Sequence, residues 1–349
     1  MKKTNIGGQG VLEGVMMRSQ TVSGLAVRKA SGKINYTKEK ITLAANKNKF
    51  VKLPFIRGVV SLVDMMGMGV KTLTKAAKMY DENSTEQEPS KLEKFIAKKT
   101  GKSAMDVAMV FAVIIALGLA VGIFFILPTV LANIVRPYIA SSILMNLISG
   151  GIRLVIFVAY ILAISFMKDI KRVYRYHGAE HKTISAYEHE EELTVDNVQK
   201  YKTLHPRCGT SYMLLVMVIS ILMFSLLGWS PSWYVRIGLR LAMLPIVAGI
   251  SYEFLKFAAR GENLFFRAIR WPGMQLQRLT TAQPDDSMVE VAILAFTAAL
   301  DEIDDEELQQ MADNFDRSPK KTEPSETEES EQEPSADTQE NTAAAEQAQ

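Results

Sequence analysis

Long apolar runs separated by charged segments dominate the middle of the chain. A bilayer's hydrocarbon core is crossed by about 20 helical residues, and runs of this kind predict four transmembrane helices, at 105–135, 152–167, 212–229 and 237–257. A weaker run at 138–148, ended by Ser-Gly-Gly at 149–151, is predicted to be a short interfacial segment. Arg153 is expected to extend its side chain to the outer surface, because an ionised group is costly at the bilayer centre.

The first 50 residues alternate between apolar and polar positions, as strands do. Residues 22–29 and 33–40 flank a Ser31-Gly32 turn, and this pattern predicts a β-hairpin. The glycine-rich residues 7–10 lack the lysine of a phosphate-binding loop and are predicted to form tight turns. Residues 54–80 have amphipathic helical spacing, which both packing on the protein's own core and a position along the inner membrane leaflet explain.

The sign of the charge changes towards the end of the chain. Asp285 and Asp286 are predicted to cap an amphipathic helix that runs through Leu300 and packs on the N-terminal module. Residues 301–349 carry 17 acidic and 3 basic side chains, whereas residues 1–300 carry 37 basic and 21 acidic ones. From about residue 318 the sequence is too polar to bury a core and is predicted to be disordered.

These elements predict an α-helical polytopic membrane protein with about four transmembrane helices, a small cytoplasmic α+β N-terminal module and a disordered acidic tail. Lysine and arginine are dense in 168–211 and sparse in the other links, so that loop is predicted to be cytoplasmic. Four crossings then place both termini in the cytoplasm. The predicted parts are the N-terminal module with its amphipathic helix (1–80), a linker (81–104), the membrane domain (105–260), a cytoplasmic helical segment (261–317) and the tail (318–349).

All four histidines fall between His177 and His205, and the single cysteine, Cys208, follows closely. His177 and His181 are four residues apart with Glu180 between them, so on a helix the three side chains share one face. An HxxEH helix is one of the arrangements that bind zinc with a glutamate as general base. The second crossing is expected to continue into this motif as one helix, which places the site just below the membrane.

Further ligands are expected from other segments. His205 or Cys208 is predicted to complete the zinc site, with water in the open position for the glutamate of the motif to activate. Glu253, near the cytoplasmic end of the fourth crossing, is a candidate ligand because an ionisable residue at that depth needs a partner. A pair with arginine or lysine explains Glu253 equally well. Glu188 and His189 are expected to face solvent.

Two other interpretations of the same residues stay open. A closed site uses His177, His181, His205 and Cys208 all as ligands and holds two cytoplasmic segments together, as in a scaffold or assembly factor. Alternatively, Cys208 lies near a helix N-terminus and is a candidate nucleophile with His205 or His181 as its base. The apolar runs contain few charges and no internal repeat, which gives little support to transport.

Six strings of the sequence form a distinctive set of motifs: IGGQGVLEGVMMR (6–18), PFIRGVV (54–60), YHGAEHK (176–182), LHPRCGTS (204–211), AGISYE (248–253) and QRLTT (277–281). They closely resemble the YqhQ-like family of bacterial membrane proteins, a domain of unknown function commonly labelled a predicted metal-dependent enzyme. The resemblance covers about residues 1–300 apart from the linker. It implies a bacterial cytoplasmic membrane protein and adds weight to Glu13 and Arg18 as residues that approach the metal loop.

The leading hypothesis is a metal-dependent hydrolase that acts at the cytoplasmic face on a lipid-linked, peptide or other amphiphilic substrate. Zinc is the expected cofactor. The alternative is a non-enzymatic membrane scaffold or assembly factor with a structural metal site. Membrane lipids and the substrate are the expected partners, a protein partner stays open, and no nucleic acid partner is expected.

Overall fold

The computed structural model describes residues 4–42, 51–80, 104–206, 208–229, 232–258, 261 and 263–316. Residues Met1–Ser318 belong to one compact unit. The predicted linker, up to residue 103, and the predicted acidic tail lie outside the described residues. The described residues therefore cover most of the predicted N-terminal module, the predicted membrane domain with its His-rich segment, and the predicted C-terminal helical segment.

Four strands form the N-terminal sheet: β1 (Gly7–Val11), β2 (Gly14–Arg18), β3 (Val22–Arg28) and β4 (Ile34–Lys40). The helices that follow are α1 (Ile56–Tyr80), α2 (Ala104–Val121), α3 (Leu127–Val135), α4 (Ser142–Ser165), α5 (Lys168–Glu188), α6 (Val195–Gln199), α7 (Gly209–Ser225), α8 (Trp233–Ala258), α9 (Leu264–Thr280), α10 (Asp286–Leu300) and α11 (Asp305–Asp316). A π-helical turn at Gly122–Ile126 joins α2 to α3, and a 3-10 turn at Arg136–Tyr138 follows α3. The described chain is mostly helical, with one small antiparallel sheet.

The sheet is an antiparallel meander in the order β1-β2-β3-β4. The predicted hairpin is confirmed, because β3 and β4 pair with Val22 opposite Lys40. Gly32, with φ +90°, lies in the turn between them. A side chain is strained at that angle, so glycine suits the position.

The tight turns predicted for residues 7–10 are wrong, because these residues form most of β1. Their glycines allow close packing instead. A Cβ on Gly8 would meet the carbonyl oxygen of Met16 in β2 at 2.3 Å, and one on Gly10 would meet the carbonyl oxygen of Val173 in α5 at 2.6 Å. The glycines thus let β1 lie directly against both β2 and the helix that carries the HxxEH motif.

Helices cover both faces of the sheet. On one face Val15 and Met17 pack against α10, and on the other Met16 packs in a core that includes Ala76 of α1. Successive residues of a strand point to opposite faces, so β2 contributes to two separate cores. The sheet is therefore the middle layer between α10 and α1.

Helix α1 packs on the protein and also leaves an apolar face exposed. Ala76 lies against the sheet, and Gly58 is so close to α8 that a Cβ would meet the Cβ of Tyr252 at 2.7 Å. Val63 and Met66 are more than half exposed. The interpretation of 54–80 as a helix packed on the protein's core is confirmed for one face, and the other face is available to a membrane surface.

The predicted cap of α10 is confirmed, since the Asp285 side chain accepts the N–H of Met288 at 3.0 Å. The helix is buried on nearly all sides and not only on one, because the sheet, α5 and α11 surround it. Arg28 of β3 forms a 2.6 Å ion pair with Glu290 of α10 inside this core. Helix α11 lies within the helical segment predicted for 261–317, although the sequence analysis did not distinguish it as a helix separate from α10.

Three helical stretches of the described chain are long and apolar enough to cross a membrane: Phe111–Tyr138, Ser142–Ser165 and Trp233–Ala258. A shorter apolar helix, Tyr212–Ser225, lies at the third predicted crossing. Ile134 and Val155 are each 68% exposed, and extended apolar surfaces of this kind mark membrane or partner contacts. The composition and exposure of these helices indicate a membrane protein.

The helix at the second predicted crossing begins earlier than the sequence predicted. Helix α4 is continuous through residues 149–151, so 138–148 is not a separate interfacial segment. Gly150 serves packing and does not form a turn, because a Cβ there would meet the side chain of Ile221 in α7 at 2.6 Å. The small residues let two apolar helices approach each other closely.

The expected continuous helix from the second crossing into the HxxEH motif is wrong. Helix α4 ends at Ser165 and α5 begins at Lys168. Met167 between them has an extended backbone with ψ 131°, which interrupts the helical hydrogen-bond ladder. The break frees α5 from the axis of α4 and lets it pack on the sheet and α10.

Arg153 does not extend to the outer surface as expected. It is only 4% exposed, and its Nε donates to the carbonyl oxygen of Phe124 at 2.7 Å. Its guanidinium lies over the rings of Phe125 and Phe224, 5.0 and 5.3 Å from their centroids. Aromatic faces and a backbone carbonyl thus take the place of water around the charge.

Arg240 of α8 is buried in the same way. Its Nη1 donates to Thr129 Oγ1 at 2.6 Å and its Nη2 to Asn146 Oδ1 at 3.0 Å. Residues 111–165 and 209–229 contain no aspartate or glutamate. Neutral side chains therefore hold this charge between α3, α4 and α8.

Candidate metal site

One face of α5 presents the three side chains of the HxxEH motif to the interior. His177, Glu180 and His181 are 9%, 4% and 1% exposed, because positions i, i+3 and i+4 stack on one side of a helix. Gly178 lies so close to the segment after α9 that a Cβ would meet the carbonyl oxygen of Ala282 at 2.1 Å. The glycine thus brings α5 close enough for its histidines to bond to neighbouring backbone.

Three of the predicted ligands come together. The ligand atoms of His177, His181 and Cys208 all lie within 4.8 Å of one another, and all three residues are buried. Cys208 is the N-cap of α7, where its Sγ accepts the N–H of Thr210 at 3.4 Å. The Sγ is 3.2 Å from Nε2 of His177. The start of an apolar helix is therefore attached to the His-bearing helix.

Backbone carbonyls fix the orientation of both imidazoles. Nδ1 of His177 donates to the carbonyl oxygen of Thr280 at 2.9 Å, and Nδ1 of His181 donates to that of Thr203. Thr280 is the last residue of α9, where helical carbonyls lack partners within the helix. A proton on Nδ1 leaves Nε2 of each ring with a lone pair, the arrangement usual in metal-binding histidines.

The donor set fits a divalent metal ion of borderline softness. Nε2 of His181 is buried and lies beside the thiol of Cys208, another of the three predicted ligands, so its lone pair points into the cluster. Two imidazoles and a thiolate are ligands that zinc prefers, and three protein ligands leave one position open. Burial lowers the pKa of His181, which favours the neutral imidazole that binds metal.

Glu180 lies beside these three ligands. Its Oε2 is 3.7 Å from Nε2 of His177 and has no hydrogen-bond partner among the described residues. The N–H of Gly8 in β1 donates to the same carboxylate. Burial raises the pKa of Glu180, against the opposing effect of His177 and His205. A carboxyl group with a raised pKa next to a metal position suits general-base catalysis.

His205 borders the cluster but is not one of its three members. Its ring centroid is 5.7 Å from that of His181. The side chain of Gln277 in α9 makes two hydrogen bonds to the backbone of His205. Its oxygen accepts the His205 N–H at 2.9 Å, and its nitrogen donates to the His205 carbonyl at 2.8 Å. Burial lowers the pKa of His205. His205 is therefore a polar group at the edge of the site that is held in place by Gln277 and favours the neutral imidazole because of its burial.

The expectation that Glu188 faces solvent is wrong. Glu188 is 5% exposed, because its Oε1 accepts the N–H of Thr4 at 3.1 Å and its Oε2 lies 3.5 Å from Nε2 of His205. His189 is exposed, as predicted. The end of α5 thus links the N-terminal segment to the histidine of the returning loop.

Glu253 lies away from the cluster. Its carboxylate accepts both Nε and Nη2 of Arg57, at 2.6 and 2.5 Å, and also the N–H of Phe55 at 3.4 Å. The charge-pair interpretation therefore accounts for Glu253, and the geometry gives no support to a role as metal ligand. The pair joins the start of α1 to α8.

The two charged residues that the family resemblance singled out lie in different places. Glu13, in the turn between β1 and β2, accepts Nη2 of Arg172 at 2.7 Å and the hydroxyl of Tyr176 at 3.3 Å, and so anchors the turn to α5. Arg18, the last residue of β2, lines a cavity beside the cluster. Only Arg18 approaches the site directly.

That cavity has a volume of about 230 Å³. One part of its wall consists of Gly8, Glu180, His181, His205 and Cys208, and another consists of Leu62, Met65, Tyr212, Tyr252 and Leu255 from α1, α7 and α8. The cavity therefore joins the polar cluster to an apolar wall. A ligand of matching size and polarity can reach both.

Sequence reasoning missed the residues that support the cluster. Gly8 supplies an N–H to Glu180, and Thr203 and Thr280 supply carbonyls to the histidines. Gln277 positions His205. Gly8, Gln277 and Thr280 lie in strings that carry the family resemblance, and this was the signal in the sequence that could have identified them. A backbone N–H or carbonyl does not depend on residue type, so the residue types themselves gave no signal.

These features define a mostly helical protein with three candidate membrane-spanning helices, a small antiparallel sheet and a buried His/Cys cluster beside a cavity. The chain belongs to the family described as "Protein of unknown function (DUF1385)", which matches residues 53–302. It is 32% identical over 295 residues to "Uncharacterized protein YqhQ" of Bacillus subtilis (strain 168), which covers 84% of this chain and 92% of the relative. No solved structure matches. The YqhQ-like family predicted from the sequence is confirmed, and neither description names an activity or a metal.

Proposed function

We propose that this protein is a zinc-dependent hydrolase of the bacterial cytoplasmic membrane, acting at the cytoplasmic face on an amphiphilic or peptide substrate. The observation that carries the proposal is the meeting of three convergent ligand atoms, a buried carboxylate and a cavity at one place. A purely structural metal site needs neither the carboxylate nor the cavity. A catalytic site needs both.

The proposed topology has four crossings, with the apolar helix α7 as the third. Its 17 residues span about 25 Å at 1.5 Å per residue, and a bilayer adapts to a helix slightly shorter than its core. The density of lysine and arginine in 168–211 supports a cytoplasmic position for the site. Both termini are then cytoplasmic.

The chain's own residues have separable roles in the proposed hydrolysis. A bound divalent ion supplies Lewis acidity toward a carbonyl or phosphoryl oxygen of the substrate. Glu180 accepts a proton from the water that attacks the substrate and passes it to the leaving group. The N–H of Gly8 fixes the carboxylate of Glu180, and His205 supplies a polar group in the wall of the same cavity.

The first test of this proposal combines metal content with turnover in the variant Glu180→Gln. Purified protein is incubated with a total membrane lipid extract or a membrane protein digest in ¹⁸O-labelled water, and labelled products are detected by mass spectrometry. We expect wild type to bind about one zinc ion and to form singly labelled products. Glu180→Gln is expected to keep the metal and to lose label incorporation by about 100-fold or more, the usual effect of removing a general base.

Glu190→Gln is the matched control, because Glu190 is an exposed glutamate just beyond the end of α5. It should behave as wild type. Wild type without bound zinc, or Glu180→Gln with undiminished turnover, would contradict the proposed function. If Glu180→Gln retains the metal and still replaces the wild-type protein in living cells, a scaffold with a structural metal site is the better explanation.

One distance favours a second candidate, a thiol-dependent enzyme. Sγ of Cys208 is 3.2 Å from Nε2 of His177, within the range of a nucleophile and its base. The sequence suggested His205 or His181 as the base, and this distance supports His177 as a further candidate. The two chemistries differ in their response to a chelator: a metal-dependent hydrolase loses turnover when stripped of metal, whereas a thiol enzyme keeps it and is inactivated by iodoacetamide.

A further inference from the structure

The wall of the cavity beside the cluster includes a cationic side chain, Arg18, that has no role in the proposed hydrolysis. Arg18 lines the cavity together with Glu180, His181 and Cys208. It comes from the end of β2, whereas the cluster residues come from α5 and from the N-cap of α7. Two separate parts of the fold thus place an arginine and a metal-ligand cluster on the same small cavity.

Within the described chain, the guanidinium of Arg18 hydrogen-bonds a poor acceptor. Its Nη1 lies 3.6 Å from the thioether sulfur of Met68, and thioether sulfur accepts hydrogen bonds weakly. Burial lowers the pKa of Arg18, against the opposing effect of Asp64 and Tyr252. A guanidinium carries five donors in a planar fork that matches carboxylate and phosphate oxygens. An oxyanion in the cavity would satisfy this side chain better than sulfur does.

The opposite wall of the cavity is apolar. Leu62 and Met65 of α1 line it together with Leu255 of α8, and α8 is one of the three helices long enough to cross a membrane. On α1 the neighbouring residues Val63 and Met66 face outward and are more than half exposed. The cavity thus lies between an arginine and helices whose outer surfaces suit lipid.

We propose that the cavity binds the anionic end of a membrane amphiphile, with Arg18 as the residue that recognises the oxyanion and α1 and α8 as the contacts for its apolar chain. This inference rests on the proposed function, because it assigns the substrate class of the same site. The oxyanion is a phosphate or carboxylate. Its source is a lipid, since a free anion has no use for the apolar wall.

The test measures binding of three probes to the full chain in a neutral maltoside detergent by calorimetry. Dodecyl phosphate carries both the anion and the chain, dodecanol carries only the chain, and inorganic phosphate carries only the anion. We expect dodecyl phosphate to bind most tightly to wild type. Arg18→Gln should weaken dodecyl phosphate at least tenfold and leave dodecanol unchanged, whereas Lys71→Gln, which removes a largely exposed cation of α1, should behave as wild type.

Two results would overturn the inference. One is an Arg18→Gln protein that binds dodecyl phosphate as wild type does. The other is inorganic phosphate bound as tightly as dodecyl phosphate, which would make a free anion the ligand. If Arg18→Gln is misfolded by near-ultraviolet circular dichroism, Leu62→Asn decides the matter: it should weaken dodecyl phosphate and not inorganic phosphate, and equal binding by Leu62→Asn would contradict the apolar contact.

The same samples separate this inference from the proposed hydrolase. Arg18 is not among the three clustered ligands, so protein stripped by a chelator should still bind dodecyl phosphate in an Arg18-dependent way. Such binding, together with turnover that is unchanged in Glu180→Gln, would sink the hydrolase and leave the amphiphile site standing. Zinc-dependent turnover with no Arg18-dependent binding would do the reverse.

Discussion

Gly178 sets the distance between α5 and the rest of the candidate site. A Cβ there would meet a backbone oxygen, that of Ala282, at 2.1 Å, and backbone cannot move aside as a flexible side chain can. We expect Gly178→Ala to lower the free energy of unfolding by about 2 kcal/mol through overpacking. It should also lower the zinc content, because the shift pulls His177 from the carbonyl of Thr280.

The measurement is thermal unfolding in detergent together with metal per chain by elemental mass spectrometry. Gly151→Ala is the matched control, since Gly151 also lies within a helix and has no atom within 4 Å of an added Cβ. It should be neutral or stabilising by about 0.5–1 kcal/mol. Unchanged stability and full metal content in Gly178→Ala would show that the site tolerates a wider spacing.

Much of the candidate site could be predicted from the types and spacing of its residues in the sequence. His177 and His181 at positions i and i+4 had to share a helix face, and Cys208 was the one thiol nearby. The place of Glu253 could not be derived in that way. Its partner Arg57 lies 196 residues earlier in the chain, and only the packing of α1 on α8 brings the two together.

At the scale of elements, helix packing in the apolar domain depends on how buried charge is satisfied. Thr129 accepts Nη1 of Arg240 at 2.6 Å and donates to the carbonyl of Phe125 at 2.7 Å. Thr129→Val keeps the shape and removes the acceptor. We expect it to cost about 1.5–3 kcal/mol, the usual value for a hydrogen bond to a charged group, measured by thermal unfolding in detergent.

Thr74→Val provides the comparison, because the Thr74 hydroxyl makes the same bond to a carbonyl four residues earlier, that of Val70, on a more exposed helix. Its change should be within about 0.5 kcal/mol. The double variant Thr129→Val/Arg240→Met should lose less stability than the two single variants added together. Strict additivity would mean that Thr129 does not stabilise the arginine.

The sequence predicted elements best where one periodicity persisted over many residues. The long apolar runs became helices, and the alternation in 22–40 became the hairpin. Glycine was the main source of error, because its effect depends on what packs against it. Residues 7–10 formed a strand and residues 149–151 stayed helical, since in both places glycine allows another segment to approach closely.

For the whole molecule, the proposed orientation places the two ends of the α4–α5 segment on opposite sides of the membrane. Tyr138 is 88% exposed at the far end, and Glu190 is exposed just beyond α5. Tyr138→Cys should react with a membrane-impermeant maleimide in intact cells. Glu190→Cys should react only after the membrane is permeabilised.

Wild type controls for the native thiol, because Cys208 is 8% exposed and should label slowly in both conditions. The opposite pattern would invert the orientation. Labelling of both engineered positions from outside would mean that α4 does not cross. Lysine and arginine bias predicted this arrangement from sequence. The candidate site combines residues of the sheet with residues of the apolar helices, and this depends on contacts between distant segments that no local pattern encodes.

The order in which the ribosome makes these segments determines when the site can exist. The Gly8 N–H that binds Glu180 belongs to β1, while the carbonyl of Thr280 and the helix α10 that covers Val15 and Met17 are made near the end of the described chain. Synthesis of the intervening chain takes roughly 15–60 s at bacterial rates of about 5–20 residues per second. During that interval the nascent sheet lacks one of its two covering layers, and the apolar helices emerge before it is complete. The candidate site is therefore complete only after the apolar helices have been made, and a chain cut short before residue 286 is expected to expose an uncovered sheet to proteases.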